Sequence, residues 1–295
     1  MSNSALSDRA NREFTPENDA FAFGKNWSNF LSRLNTERIE AAERSMQKLL
    51  SGADLSGKRF LDAGSGSGLF SLAANRLGAA VTSFDVDGDS VACTEFVRKN
   101  HGRDLERWRI EQGSLLDGDF MAGLGTFDVV YCWGVAHHTG DMWTAINGLS
   151  DRVADKGTLV LAIYNDQLYV SKIWHGVKQA HRALPGPLKP CLVLAIAMGT
   201  LLKRLTVTLL ACPLRLLTFR NPIAPLVHWF QESKGRGMHG WYDLVDWVGG
   251  WPFEVAKPEE IFRFLRDRGY ELREMTTSSG HGCNEFVFQR RLSDA

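Results

Sequence analysis

Between Asp166 and Glu232 the sequence contains no acidic residue, although the 295-residue chain balances 34 Lys and Arg against 34 Asp and Glu. A formal net charge of zero points the molecule as a whole toward no polyanionic partner, so any basic surface has to be local. Cysteine is sparse: Cys93, Cys132, Cys191, Cys212 and Cys283 show neither close pairing nor CxxC spacing. That excludes a disulfide framework and a cysteine-based zinc site, and it reads as reduced thiols in a cytoplasmic protein. No metal is expected. The N-terminus, with Arg9, Arg12, Glu13, Glu17 and Asp19, lacks the apolar core of a signal peptide. The longest uncharged apolar runs, 190–202 and 205–214, each fall short of the ~20 residues a spanning helix needs. The expectation is that no segment crosses a membrane.

Against these absences stands one dense stretch, Phe60-Leu-Asp-Ala-Gly-Ser-Gly-Ser-Gly68, followed by the helical pattern Leu69 to Leu77. A strand that breaks into alternating glycines and then opens a helix makes a cradle for a small polar or anionic ligand. Glycine reaches φ > 0 and lets backbone N–H groups approach without a Cβ, and the helix N-terminus adds partial positive charge. The dinucleotide spacing G-x-G-x-x-G is not met from either frame, because Leu69 and Ser71 occupy the last position. A second strand, Ala80 to Phe84, ends in Asp85, where a carboxylate accepts ribose hydroxyls on doubly wound sheets.

Around this stretch, residues 57–164 alternate strand and helix. Strands are predicted at 58–63, 80–85, 107–112, 127–133 and 158–164, and helices at 68–77, 88–100, 116–122 and 141–153, with Asp87 capping the second and Gly157 closing the fourth. This is an α/β pattern with a parallel sheet and its ligand site at the carboxyl strand ends. Four regions follow: an N-terminal segment and cover helix over 1–56, a core over 57–165, a helical and aromatic insertion over 166–256, and a C-terminal helix and hairpin over 257–295.

The motifs Asp62-Ala-Gly64-Ser65-Gly66-Ser-Gly68 and Asp85 resemble the first two motifs of class I S-adenosylmethionine (SAM)-dependent methyltransferases. The resemblance implies a doubly wound, seven-stranded, mostly parallel Rossmann-like sheet with a helical lid, and SAM as cofactor. It implies that Asp62 steadies the loop, that Asp85 with Val86 holds the ribose side, and that Ser114 and Leu115, with Asp117 just beyond, meet the adenine. The family's acidic residue is missing at Ser114. The fourth strand runs through Trp133 into Gly134-Val-Ala-His137-His138, the segment that passes beneath the reactive methyl in such enzymes. Either histidine is a candidate general base, since an imidazole near pKa ~6.5 accepts a proton at neutral pH. Structural service for both is the alternative reading.

The acid-free segment carries Lys172, Lys178, Arg182, Lys189, Lys203, Arg204, Arg215 and Arg220 among Leu, Val, Ile and Trp. Helical pieces are expected at 167–183 and 190–217, interrupted by Pro185, Pro187, Pro190 and Pro213. Three readings stay open: a packed lid whose lysines reach water, peripheral contact of 167–231 with an anionic membrane, and recognition of an anionic small molecule. Nucleic acid is not expected, because the charge lies among aliphatics rather than stacking aromatics.

The stretch 235–256, rich in Gly, Trp and Asp, reads as a loop lining the substrate pocket through Trp241, Asp243, Asp246 and Trp247. Phe23, Lys25 and Trp27 are candidates to fold over the pocket. A helix over 257–269 precedes a hairpin, 270–277 and 284–290, that carries His281 and Asn284 near the acceptor. Together these imply a methyltransferase with a small, hydrophobic acceptor, O-methylation favoured, in layout similar to quinone-biosynthesis O-methyltransferases. Glycan, lipid-linked, amine or thiol acceptors, and a SAM-binding protein without turnover, are the alternatives. Oligomeric state is not legible.

Overall fold

The structure is a computed structural model that describes residues 34–219, 221–224, 227, 240–278, 280 and 282–292, with backbone only at 240–243 and 246. Phe23, Lys25, Trp27 and His281, and the side chains of Trp241, Asp243 and Asp246, lie outside that description.

The first described helix, α1 (Thr36–Leu49), begins where the Asn35 side chain accepts a hydrogen bond from Arg38 N, and it buries Ile39, Ala42 and Met46. This stripe packs against α2 (Leu69–Arg76). The chain then runs β1 (Arg59–Ala63), α2, β2 (Ala80–Asp85), α3 (Gly88–His101), β3 (Trp108–Gln112), α4 (Gly118–Gly123), β4 (Phe127–Trp133), α5 (Met142–Asp151) and β5 (Val153–Tyr164). After two further helices, α6 (Tyr169–Ala183) and α7 (Lys189–Leu217), come α8 (Gly240–Gly249), α9 (Pro258–Arg266), β6 (Tyr270–Thr276) and β7 (Cys283–Arg290). The strands form one seven-stranded sheet in the order β3-β2-β1-β4-β5-β7-β6, with β7 antiparallel to both neighbours. Strand order reverses between β1 and β4, and in such a sheet the crevice outside that reversal is where a ligand enters.

Alternation along each strand builds two cores. Leu61, Val130, Leu161 and Phe286 face α4, α5 and α9 on one side. Phe60, Val81, Val129, Val160 and Val287 face α1, α2 and α3 on the other. Burying each such side chain contributes about 1.5–3 kcal/mol. The caps agree with the sequence. Asp87 accepts from Asp89 N at the start of α3, Asp141 caps α5, and Glu260 reaches back to Lys257 N across the first turn of α9.

Gly157 does not close α5, which ends at Asp151. It lies inside β5, where a Cβ would sit 2.8 Å from the carbonyl oxygen of Ala154 and 3.1 Å from that of Asp128. Close backbone approach at an irregular register, rather than a helix stop, is what requires glycine there. The region read as a loop at 235–256 contains α8, whose buried Val248 turns toward α6 and α7. Flanking glycines and the unusual Trp and Asp content hide its helical period.

Pro213 does not interrupt α7, which is continuous over 29 residues. Lys203 and Arg204 had divided the apolar run into two short pieces, yet both lie within this one helix. With the preceding turn it forms Gly186–Leu217, long and apolar enough to cross a membrane, and only 11% of its most apolar window is buried. Those two cations stand at its midpoint, where a spanning orientation would cost about 2.5–3.5 kcal/mol for each.

Candidate functional site

The glycine loop between β1 and α2 is fixed from both sides. Gly64 N and Ser65 N both donate to the Phe84 carbonyl, and Gly66 N donates to Asp85 Oδ2 at 2.9 Å. Gly64 and Gly68 adopt φ of 80° and 75°, the left-handed region. A Cβ on Gly64 would lie 2.5 Å from both γ-carbons of Val135, and one on Gly68 2.8 Å from Thr94 Cα. Thus the turn after β4 presses directly onto the loop after β1, at the reversal of strand order. Ser65 Oγ lies 3.0 Å from Thr94 Oγ1 and ties the loop to α3.

Asp85 takes Gly66 N on one oxygen and Asp87 N, at 3.0 Å, on the other. Burial raises its pKa, while these two backbone donors oppose the rise. Each carboxylate oxygen keeps a second lone pair for a ligand hydroxyl. Val86 beside it is half exposed. The loop is therefore anchored by Asp85 more directly than by Asp62.

Asp62 instead ends a buried relay. Trp108 Nε1 donates to Ser83 Oγ at 2.8 Å, Ser83 and Ser71 hydroxyls meet at 2.7 Å, and Ser71 Oγ donates to Asp62 Oδ2. Burial pushes the Asp62 carboxyl up to about 7. Trp108, Ser71 and Ser83 have no sequence signal of their own, because they come together only when β2, β3 and α2 pack.

The adenine expectations change. Leu115 is folded into the core with Leu61 and Phe84, so its side chain serves packing rather than a free ring platform. Ser114 Oγ accepts from Leu116 N, and Asp117 caps α4 through Phe120 N. Trp133 is 43% exposed at the mouth, its Nε1 donating to Glu285.

Beyond β4, residues Ala136–His138 form a single 3-10 turn. His137 is fully buried, with Tyr164 N approaching its Nδ1 at 3.4 Å, and its Nε2 has no hydrogen-bond partner among the described residues. Burial first, then His138 and Lys178, holds its pKa well below the usual histidine range. His138 Nδ1 lies 2.6 Å from the Pro252 carbonyl. Only N–H can meet a carbonyl oxygen, so this contact fixes the tautomer with the lone pair on Nε2. Burial depresses the His138 pKa to about 4, against the Pro252 hydrogen bond that raises it.

An aromatic wall encloses this pair. Tyr164 stands 3.8 Å from His137 and 5.3 Å from His138, and Trp247 and Phe253 lie 5.1 and 5.6 Å from Tyr164, between ring centroids. Lys178 of α6 is completely buried here: its ammonium donates to the Trp247 carbonyl and sits 4.9 and 4.8 Å over the Trp247 and Phe253 rings. Phe253 and Lys178 were missed in the sequence. The only trace was Trp174 one helical turn before Lys178, which reaches Trp247 from the same face.

The strap 252–256 closes the floor. Glu254 N donates to the His137 carbonyl, Glu254 Oε2 accepts Met142 N, and Ala256 N donates to the Tyr164 carbonyl. Asn284 is not at an acceptor face. It is 1% exposed, accepts from Ser278 N and donates to Asn165, pinning the hairpin to the end of β5. A shallow groove of about 300 Å³ between Lys156, Glu271, Arg273, Gln289 and Arg290 lies at the opposite, amino-terminal edge of the parallel strands.

Comparison with known proteins meets this geometry. Residues 61–159 match a family model described as a methyltransferase domain. No match exists among curated protein sequences. Magnesium protoporphyrin IX methyltransferase from Synechocystis PCC 6803, solved with bound SAH, superposes with a TM-score of 0.50 at 15% identity over 91% of this chain and 96% of that one, a likeness of fold. The same enzyme with bound SAM gives a TM-score of 0.47 at 14% identity over 98% and 92%. An O-methyltransferase family protein from Burkholderia thailandensis gives 0.49 at 14% identity over 85% and 57%. Residues 61–159 thus match a methyltransferase domain, and they lie on a seven-stranded sheet whose order and antiparallel β7 are those of the class I SAM-dependent methyltransferase fold.

Proposed function

We propose that this methyltransferase acts on a small hydrophobic hydroxyl compound, a phenol in preference to an aliphatic alcohol, and that His138 is the base. The observation that carries the reading is the His138 Nδ1 contact with the Pro252 carbonyl, which leaves Nε2 as the accepting nitrogen beside an aromatic wall. Bound SAM supplies an electrophilic methyl group on its sulfonium. Asp85 fits that cofactor, since each of its carboxylate oxygens keeps a lone pair for a ribose hydroxyl, and the left-handed glycines let the loop that presents it pack against Val135 and Thr94 where a Cβ would clash.

The remaining work belongs to the chain. Tyr164, Trp247 and Phe253 hold a flat apolar acceptor and keep water away, which favours near-attack geometry for in-line displacement. His138 Nε2 then takes the acceptor's proton. A ring with a pKa near 4 is always in its accepting form at pH 7 but is a weak base, which suits the more acidic hydroxyl. His137, fully enclosed and turned toward Tyr164 N, serves as structure.

The test is methyl transfer from labelled SAM to matched phenol, alcohol, amine and thiol acceptors, with wild type and His138→Gln. The reading expects label in phenols, and a kcat about 10²–10⁴-fold lower in the variant with SAH affinity unchanged. Label confined to amines or thiols, or full turnover in His138→Gln, contradicts it.

A further inference from the structure

The acid-free arm points to a role that methyl transfer by itself does not require. In α7, Leu194, Met198, Leu201, Leu205, Leu209 and Leu216 follow one another at helical spacing along one face, every one at least 39% exposed, and Leu202, Val207, Leu210, Leu214 and Leu217 extend the exposed apolar surface onto the other faces. Phe219, just past the end of the helix, is fully exposed. The main partners of α7 among the described elements are the turn before it and α8, neither of which covers that stripe. An apolar stripe of this length is costly in water unless something takes it up.

Charge says what does. Lys189 and Lys203 lie at helical positions opposite the stripe, Lys203 among exposed Val207, Leu210 and Leu214, while Arg204 and Arg215 lie on its flank. Across 167–231 eight cations stand with no acid among them. A second copy of the chain would bring an equally basic arm and set like charges together, which disfavours self-pairing through this face. A spanning orientation would bury Lys203 and Arg204 at the bilayer centre. We propose that α7 docks in the plane of an anionic lipid bilayer, its leucine stripe and Phe219 sunk at the acyl boundary and its cations among the headgroups. α7, through its covered side, and the methyl-transfer site share α8 as a neighbour, so docking holds the aromatic wall close to the membrane surface.

The experiment is flotation of the full chain with phosphatidylcholine vesicles, either pure or containing about a quarter phosphatidylglycerol. The expected result is partitioning at least about tenfold stronger onto the anionic vesicles, and release by about 0.5 M salt or an alkaline wash. Leu205→Glu with Leu209→Glu is expected to abolish flotation, and Lys203→Glu with Arg204→Glu to remove the preference for anionic lipid. SAH affinity, measured on the same samples, stays at the wild-type value in both variants, which separates this outcome from any failure of the methyltransferase reading. Equal partitioning on both vesicles overturns the proposal, as does retention through the alkaline wash, which is the mark of a spanning helix. A lipid-independent dimer that Leu205→Glu with Leu209→Glu dissolves would assign the stripe to a second copy instead.

Discussion

Leu161 in β5 and Leu209 in α7 are the same residue in two regions that treat it oppositely: one is fully buried, the other 70% exposed. The sheet region uses period-two alternation to build two sealed cores, and it links buried polar groups in relays such as Trp108–Ser83–Ser71–Asp62. The arm carries a comparable density of leucine with almost none of it covered. Apolar composition by itself therefore does not distinguish a core from a contact surface. The partner elements that reach it do.

This contrast is open to direct attack. Leu161→Ala is expected to cost about 2–5 kcal/mol in chemical denaturation, the range for a buried leucine whose site cannot collapse. An effect below about 1 kcal/mol would mean the β5 core is far looser than drawn. His138→Gln tests the core by pH. The wild-type ring has a folded pKa near 4 against about 6.5 unfolded, so the unfolded chain takes up a proton first and stability drains as pH falls from about 6.5 toward 4. The loss reaches up to about 3 kcal/mol, and His138→Gln should flatten that limb of the profile. An unchanged acid limb would show that the ring titrates normally.

Gly64→Ala is expected to cost about 1–3 kcal/mol and to weaken SAH binding, because it combines a left-handed φ with a clash against Val135. Intact binding in that variant would separate the loop from the cofactor. The smallest change should come from Leu209→Ala, within about 0.5 kcal/mol of wild type. A larger loss would place α7 inside the folding unit and blur the distinction between the two regions.

The sheet region was the more legible of the two. Alternation, the glycine spacing and the Asp85 tip located all seven strands to within a residue or two except the start of β5, where Lys156 at φ 59° and Gly157 form an irregular entry that mimics a helix stop. The cap at Asp87 and the histidine turn were also read in place. What the sequence concealed depends on distant chain segments meeting. Lys178 enters the site because α6 packs against α8 and meets Trp247 and Phe253, and Leu115 and Asn284 are withdrawn into packing that only tertiary contacts reveal. The helix was read at 190–217 with Pro213 as an interruption it does not make, while Lys203 and Arg204, which a helix tolerates when its surface is open to polar surroundings, hid the full length of its apolar run.

The most direct measurement is calorimetric titration of SAH into wild type and Asp85→Ala. The account predicts saturable binding by wild type and a loss of about 1–3 kcal/mol in the variant, about 5- to 150-fold in Kd, as charged hydrogen bonds to the ribose disappear. Absence of binding by wild type, or an identical Kd in Asp85→Ala, would contradict the placement of the cofactor in the crevice between β1 and β4.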